Sequence, residues 1–226
     1  MNYHDFEKVL SSARLSRYLE ASGKHEGKAL DIYRYNIRLS QGFYALLSLF
    51  EIALRNAIDQ HYTQIFGESE WIKNQCVGTG FLNNPVFAAG RYKSKKIVND
   101  SIRNLGVRYT HDRLVASLSF GFWVNLFAPM QFRFGGQNLH KIFINRPIGT
   151  KPKDLYNQLS SILDFRNRVA HHEPICFNKG HQMDLYQAQK YYASIIEITN
   201  WLGLDSNEFF KDLDKIQEIF DENTRL

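Results

Sequence analysis

The chain has 226 residues, 44% of them apolar, which is enough to bury a substantial core and too apolar for global disorder. Lys and Arg number 28 against 23 Asp and Glu, giving a net charge of +5 and a pI near 9.1; this balance permits a polyanionic partner without demanding one. Its two cysteines, Cys76 and Cys176, lie far apart and in no metal-like spacing, which argues against a disulfide scaffold and for a reducing cytoplasm.

Met1-Asn2-Tyr3-His4-Asp5 lacks the basic and apolar regions of a secretory signal, and no uninterrupted apolar run approaches a membrane span. Spacing predicts a first amphipathic helix from about His4 to Ala21, with Gly23 and Gly27 bracketing a break. Helical periodicity then runs from Lys28 to Phe66, long enough to predict a bend or break between Leu39 and Gly42. In its second half Tyr44, Ser48, Glu51, Arg55 and Tyr62 border an apolar arc, and Glu51 and Arg55 are spaced for a helical ion pair. That pair is either a half-exposed surface bridge or part of a site, in which Glu51 holds Arg166 in place or Arg55 and Asn56 help bind phosphate.

Gly67 to Pro85 reads as a loop with a short turn around Trp71, and helix resumes from about Val86 to Leu105. The latter carries Arg91, Lys93, Lys95 and Lys96 around Tyr92, which is either a solvated cationic face or a surface that tracks RNA. His111 to Leu118 reads as a short helix leading into Phe120 to Phe127, whose dense aromatics are expected in the core. Pro129 should end that segment, with loop and short helix from Phe132 to Ile144. After a motif helix starting near Lys153, helix is expected from about Met183 to Trp201, with Leu185, Tyr186 and Ile195 inward. A last helix starts at Asp205 or Ser206. Nothing alternates like a strand, so the fold class is all-α, a helical bundle in a single domain over residues 1–226.

The most informative stretch is Asp164-Phe165-Arg166-Asn167-Arg168-Val169-Ala170-His171-His172-Glu173-Pro174. On a helical wheel Arg166 falls near the middle of the apolar arc formed by Leu155, Leu159, Ile162, Phe165 and Val169. Such a guanidinium needs either a carboxylate partner or a cavity or interface that a phosphate can enter. Asn167 and His171 sit one above the other at the polar edge, and Pro174 predicts that the helix ends near His171 or His172. The same residues also suit the negative end of a helix dipole and can cap its last carbonyls.

Arg166-Asn167-Arg168-Val169-Ala170-His171 resembles the R-x4-6-H motif of HEPN ribonucleases, and its extension His172-Glu173-Pro174-Ile175 resembles the Abi family of abortive-infection proteins within that superfamily. Ala29 to Asn36, continuing through Phe50 to Ile58, resembles the amino-terminal region of that family, and Phe120 to Phe127 its central aromatic block. The resemblance implies a HEPN-like bundle of long antiparallel helices and a metal-independent endoribonuclease of a phage-defence or toxin-type system, with no cofactor. It further implies a homodimer with a composite active site, cytoplasmic and without a membrane. The expected partners are an RNA substrate, a regulatory noncoding RNA and an antitoxin.

Within that reading the ribose 2′-OH is an internal nucleophile, so the protein must move protons and stabilise a crowded phosphate. His171 is the expected general acid or base, Arg166 the phosphate clamp, and Asn167 an amide donor to the phosphate or to His171. His172 is either a second proton-transfer group or a cap, and Arg168 joins Arg91, Lys93, Lys95 and Lys96 as the expected RNA-binding set. The alternative is a HEPN module that binds RNA, such as a regulatory noncoding RNA, without cutting it.

Overall fold

The computed structural model describes residues 2–87, 93–178, 180 and 182–222. Among these the chain is all-α, with one isolated antiparallel bridge between Phe177 and Met183. It divides into two compact units, each built from separated stretches of sequence.

The first unit comprises residues 1–49, 164–197 and 205–226. It opens with α1 (Tyr3–Leu10), whose N-terminus is closed by a capping box between Asn2 and Asp5. The single amphipathic helix expected over His4 to Ala21 is in fact two, because Ser11 adopts φ +76° and breaks the ladder before α2 (Ser12–Ala21). Next is α3 (Glu26–Phe66), whose residues up to Leu49 belong to this unit. Of the bend or break expected between Leu39 and Gly42, the break is absent: α3 is helical throughout its 41 residues. One glycine costs a helix only about 1 kcal/mol, and here it makes room for packing: a Cβ on Gly42 would lie 2.8 Å from Ile216 Cδ1.

The remainder of this unit comes from the end of α9 (Pro152–Ala170), most of α10 (Tyr186–Trp201), α11 (Ser206–Phe209) and α12 (Ile216–Glu222). The single last helix expected from Asp205 is thus two short ones, interrupted where Asp212 takes φ +64°. Phe165 stacks on Tyr191 at 4.1 Å and meets Phe43 edge-on at 4.7 Å, fastening α9 to both long neighbours. Tyr186, expected inward, is 55% exposed. It opens α10, and its backbone N–H is capped by Asp184 Oδ1.

The second unit comprises residues 50–163 and 198–204. It contains α4 (Trp71–Asn74), α5 (Ser94–Leu105), α6 (His111–Ser117), α7 (Phe120–Asn125) and α8 (Pro129–Phe134). The helix expected from Val86 starts only at Ser94; Pro85 to Phe87 form a 3₁₀ turn. Pro129 opens α8 at its first helical position, where the missing N–H costs nothing. The aromatic block is core as expected, with Phe120, Phe122, Trp123 and Phe127 at most 3% exposed. Trp71 Nε1 and His111 Nε2 both reach Asp59 Oδ1, at 2.7 and 2.8 Å, so a half-buried carboxylate ties α3, α4 and α6 together.

By length and composition α3 could cross a membrane, with a mean hydropathy of 1.2 over its most apolar 18 residues. Runs uninterrupted by polar residues do not reveal this. Part of the apolar surface of α3 is used in packing, with Phe43, Leu46, Leu47 and Phe50 buried, while Tyr44 and Ile52 are exposed.

Candidate functional site

The motif segment lies in the first unit, at the end of α9. Helix α9 ends at Ala170, with a last helical bond from His171 N–H to Asn167 O at 2.9 Å, close to where Pro174 predicted. His172 N–H donates to Val169 O at 3.1 Å and Glu173 N–H to Arg168 O at 2.9 Å. Together with φ +56° at His172, these two bonds form a Schellman motif in which histidine fills the position usually held by glycine. A side chain at that φ costs about 1 kcal/mol or more relative to glycine.

The turn is held from outside as well. Arg14 Nη1, on α2, donates to His172 O at 3.0 Å, and Arg17 Nη2 donates to Gly180 O at 2.7 Å. Buried Asn36 accepts from Ile175 N–H at 2.8 Å through Oδ1, anchoring the chain just beyond Pro174. Arg168 donates from Nη2 to Pro174 O at 2.7 Å and pairs with Glu173 through Nε at 3.3 Å. Its donors are therefore turned onto its own chain, a structural use that the RNA-binding expectation for Arg168 did not include.

Beside this turn lies an open cleft of about 790 Å³. Ile37, Ser40, Gln41 and Tyr44 form one wall, a single face of α3 at helical spacing. Arg166, Val169 and Ala170 of α9 form the other, and His172 closes the end. Arg166 is half-buried and engaged within the chain, and a guanidinium offers five N–H donors. Tyr44 is 62% exposed, an aromatic ring in the same cleft as a guanidinium.

Arg166 thus faces an accessible cavity, one of the two alternatives that its place on the apolar arc left open. Asn167 is half-buried next to it in sequence; His171 and His172 are both exposed, and of the two only His172 lines the cleft. His171 keeps its helical bond, with its N–H donating to Asn167 O at 2.9 Å, as the wheel assumed. His172 is itself the αL residue, where the chain leaves the helix, and it lines the cleft while remaining exposed.

Glu51, Arg55 and Asn56 belong to the second unit. Glu51 is half-buried and engaged, Asn56 is exposed, and Arg55 is half-buried with no hydrogen-bond partner for Nε among the described residues. Lys93, Lys95 and Lys96 are exposed or nearly so around the start of α5, also in the second unit, and Arg91 lies outside the described residues. Among the described residues no group of three or more His, Cys, Asp or Glu is placed to hold a metal ion. No family model, curated protein or solved structure matches the chain.

Proposed function

We propose that the protein is a metal-independent endoribonuclease that cleaves single-stranded RNA through the ribose 2′-OH. The observation that carries this reading is the open cleft shared by Arg166 and His172, with exposed Tyr44 beside them. In the reaction a base removes the 2′-OH proton, and the oxygen attacks the adjacent phosphorus. The 5′-oxygen then leaves with a proton from an acid, giving a 2′,3′-cyclic phosphate and a 5′-hydroxyl. Arg166 grips the non-bridging oxygens as charge builds on them. The imidazole of His172 serves as proton donor or acceptor, an assignment that its place in the cleft supports over that of His171, which does not line it. Tyr44 offers a face on which an unpaired base stacks, and this selects single strands over duplex.

The resemblance of the 166–175 stretch to abortive-infection proteins supports a place in phage defence or a toxin-type system in the cytoplasm. A homodimer with a composite site, and restraint by a noncoding RNA or an antitoxin, belong to the same proposal. Purified protein incubated with labelled RNA in chelator should yield cyclic-phosphate ends. Arg166→Ala and His172→Ala should each slow cleavage by about a hundredfold or more, with His171→Ala milder. If RNA binds but none of these variants changes its integrity, the protein is a non-catalytic RNA-binding module instead. If both cleavage and binding are absent, the nucleic-acid reading falls altogether.

A further inference from the structure

We infer that the cleft between the 3₁₀ turns at 81–87 and α5, within the second unit, binds a nucleotide by its terminal phosphate. The cleft measures about 460 Å³, inside the range of roughly 300–1,000 Å³ usual for small-molecule sites. Lys93, Lys95, Lys96 and Arg103 line it against one carboxylate, Asp100. Four cations facing one carboxylate leave an excess of three positive charges. Lys96 and Arg103 share Asp100, and among the described residues Lys93 has no hydrogen-bond or ion-pair partner for its side chain. The first turn of α5 has no side-chain cap, so its backbone N–H groups add to the positive field.

One wall is preorganised. Lys95 Nζ donates to Asn83 Oδ1 at 2.7 Å, and Asn83 Nδ2 donates in turn to Gly78 O at 2.7 Å. Asn83 N–H bonds to Gln75 O at 3.0 Å, and Phe81 N–H to Gln75 Oε1 at 3.0 Å. Gly80 lets this turn close, because a Cβ there would lie 2.4 Å from Gln75 O. Beneath it Phe81 lies parallel to Trp71, within 7°. A lysine held this way loses little freedom when it meets an anion.

The floor is apolar, formed by Leu82 and Phe87, while Asn83, Asn84 and Asn99 present amides at the rim. A cationic rim, an apolar floor and amide donors and acceptors together suit a phosphorylated nucleoside. A terminal phosphate carries about two negative charges where a backbone diester carries one, so the charge excess favours an end over a mid-strand position. The same chemistry is offered by a free mononucleotide and by the phosphorylated end of an RNA strand. The site stands in a different unit from the Arg166 cleft and does not depend on cleavage there.

The test uses the full-length protein and 2′-O-methyl hexaribonucleotides, which cannot be cut through a 2′-OH, carrying a 5′-phosphate, a 3′-phosphate or no terminal phosphate. Fluorescence polarisation should show about tenfold tighter binding for one phosphorylated probe than for the unphosphorylated one. Lys93→Glu and Lys95→Glu, both at exposed positions, should abolish that difference, while Arg166→Ala leaves it intact. Competition by adenosine or guanosine monophosphate identifies the free nucleotide as a ligand. Phosphate-dependent probe binding without such competition identifies the strand end. Equal affinity for all three probes, or a phosphate preference that survives both lysine reversals, overturns the assignment whatever the cleavage assay shows.

Discussion

His172 combines a conformational cost with a chemical opportunity. Its φ of +56° is one that a glycine would adopt more cheaply, yet an imidazole stands there and lines the cleft with Arg166. His172→Gly should therefore stabilise the protein by about 0.5–1 kcal/mol, less the entropy glycine loses on folding. Thermal unfolding should register this as a rise of about 1–4 °C, and the same variant should lose RNA cleavage. His172→Val, β-branched at positive φ, should lose both stability and cleavage. Were the glycine variant less stable than the parent, the imidazole would be holding the turn rather than straining it. Arg168 makes the opposite case, since its donors are already engaged with Pro174 and Glu173. Arg168→Ala should cost about 1 kcal/mol of stability and leave the salt dependence of RNA binding unchanged. A shallower salt slope would restore Arg168 to the RNA-binding surface.

Among the elements, α3 shows where sequence reading succeeds and where it stops. Its apolar period was legible because buried positions recur at helical spacing, and Phe43, Leu46, Leu47, Phe50 and Leu54 are all buried. The role of Gly42 was not, since a glycine that weakens a helix and one that admits a neighbour are written identically. Its close approach to Ile216 is long-range and leaves no local mark. The breaks at Ser11 and Asp212 escaped for a related reason: both have positive φ with side chains that ordinarily avoid it. At the candidate site, Arg166 was readable from its place on the wheel. That His172 lines the cleft was not, because its positive φ in the Schellman turn is a departure from helix that a wheel does not represent. Gly42→Ala should change the urea midpoint little, since a gain in helix propensity of about 1 kcal/mol offsets displacement of the flexible Ile216 terminus. Gly42→Val should cost about 1–3 kcal/mol by overpacking the same place. Equal midpoints for the two variants would show that α12 does not rely on this close approach.

For the whole molecule, buried titratable groups define the pH window of stability. Burial pushes the Cys76 thiol up to about 11 and the Cys176 thiol up to about 12, from an ordinary 9.0. Burial, aided by the bond to Asp214, pushes the Tyr192 hydroxyl up to about 12. All three are raised acids, so above about pH 9 for the thiols and about pH 10 for the tyrosine the unfolded chain sheds protons that the folded chain retains, and stability falls as pH rises toward 11 and 12. On the acid side the His140 imidazole is held below its ordinary 6.5, first by burial and then by Arg146, Lys141 and His61. Below that value the unfolded chain binds a proton that the folded chain resists, and stability falls as pH falls. Stability should thus peak between these limits and decline on both sides. Chemical denaturation across about pH 5 to 10.5 should show it, with the Cys76→Ala, Cys176→Ala double variant declining less steeply above about pH 9. Folded protein at about pH 8 should leave both thiols unreactive toward an aromatic disulfide reagent until denaturant is added. Rapid labelling of either cysteine without loss of helical signal would mean that its thiol is open to solvent, and that thiol's share of the alkaline decline would fall away.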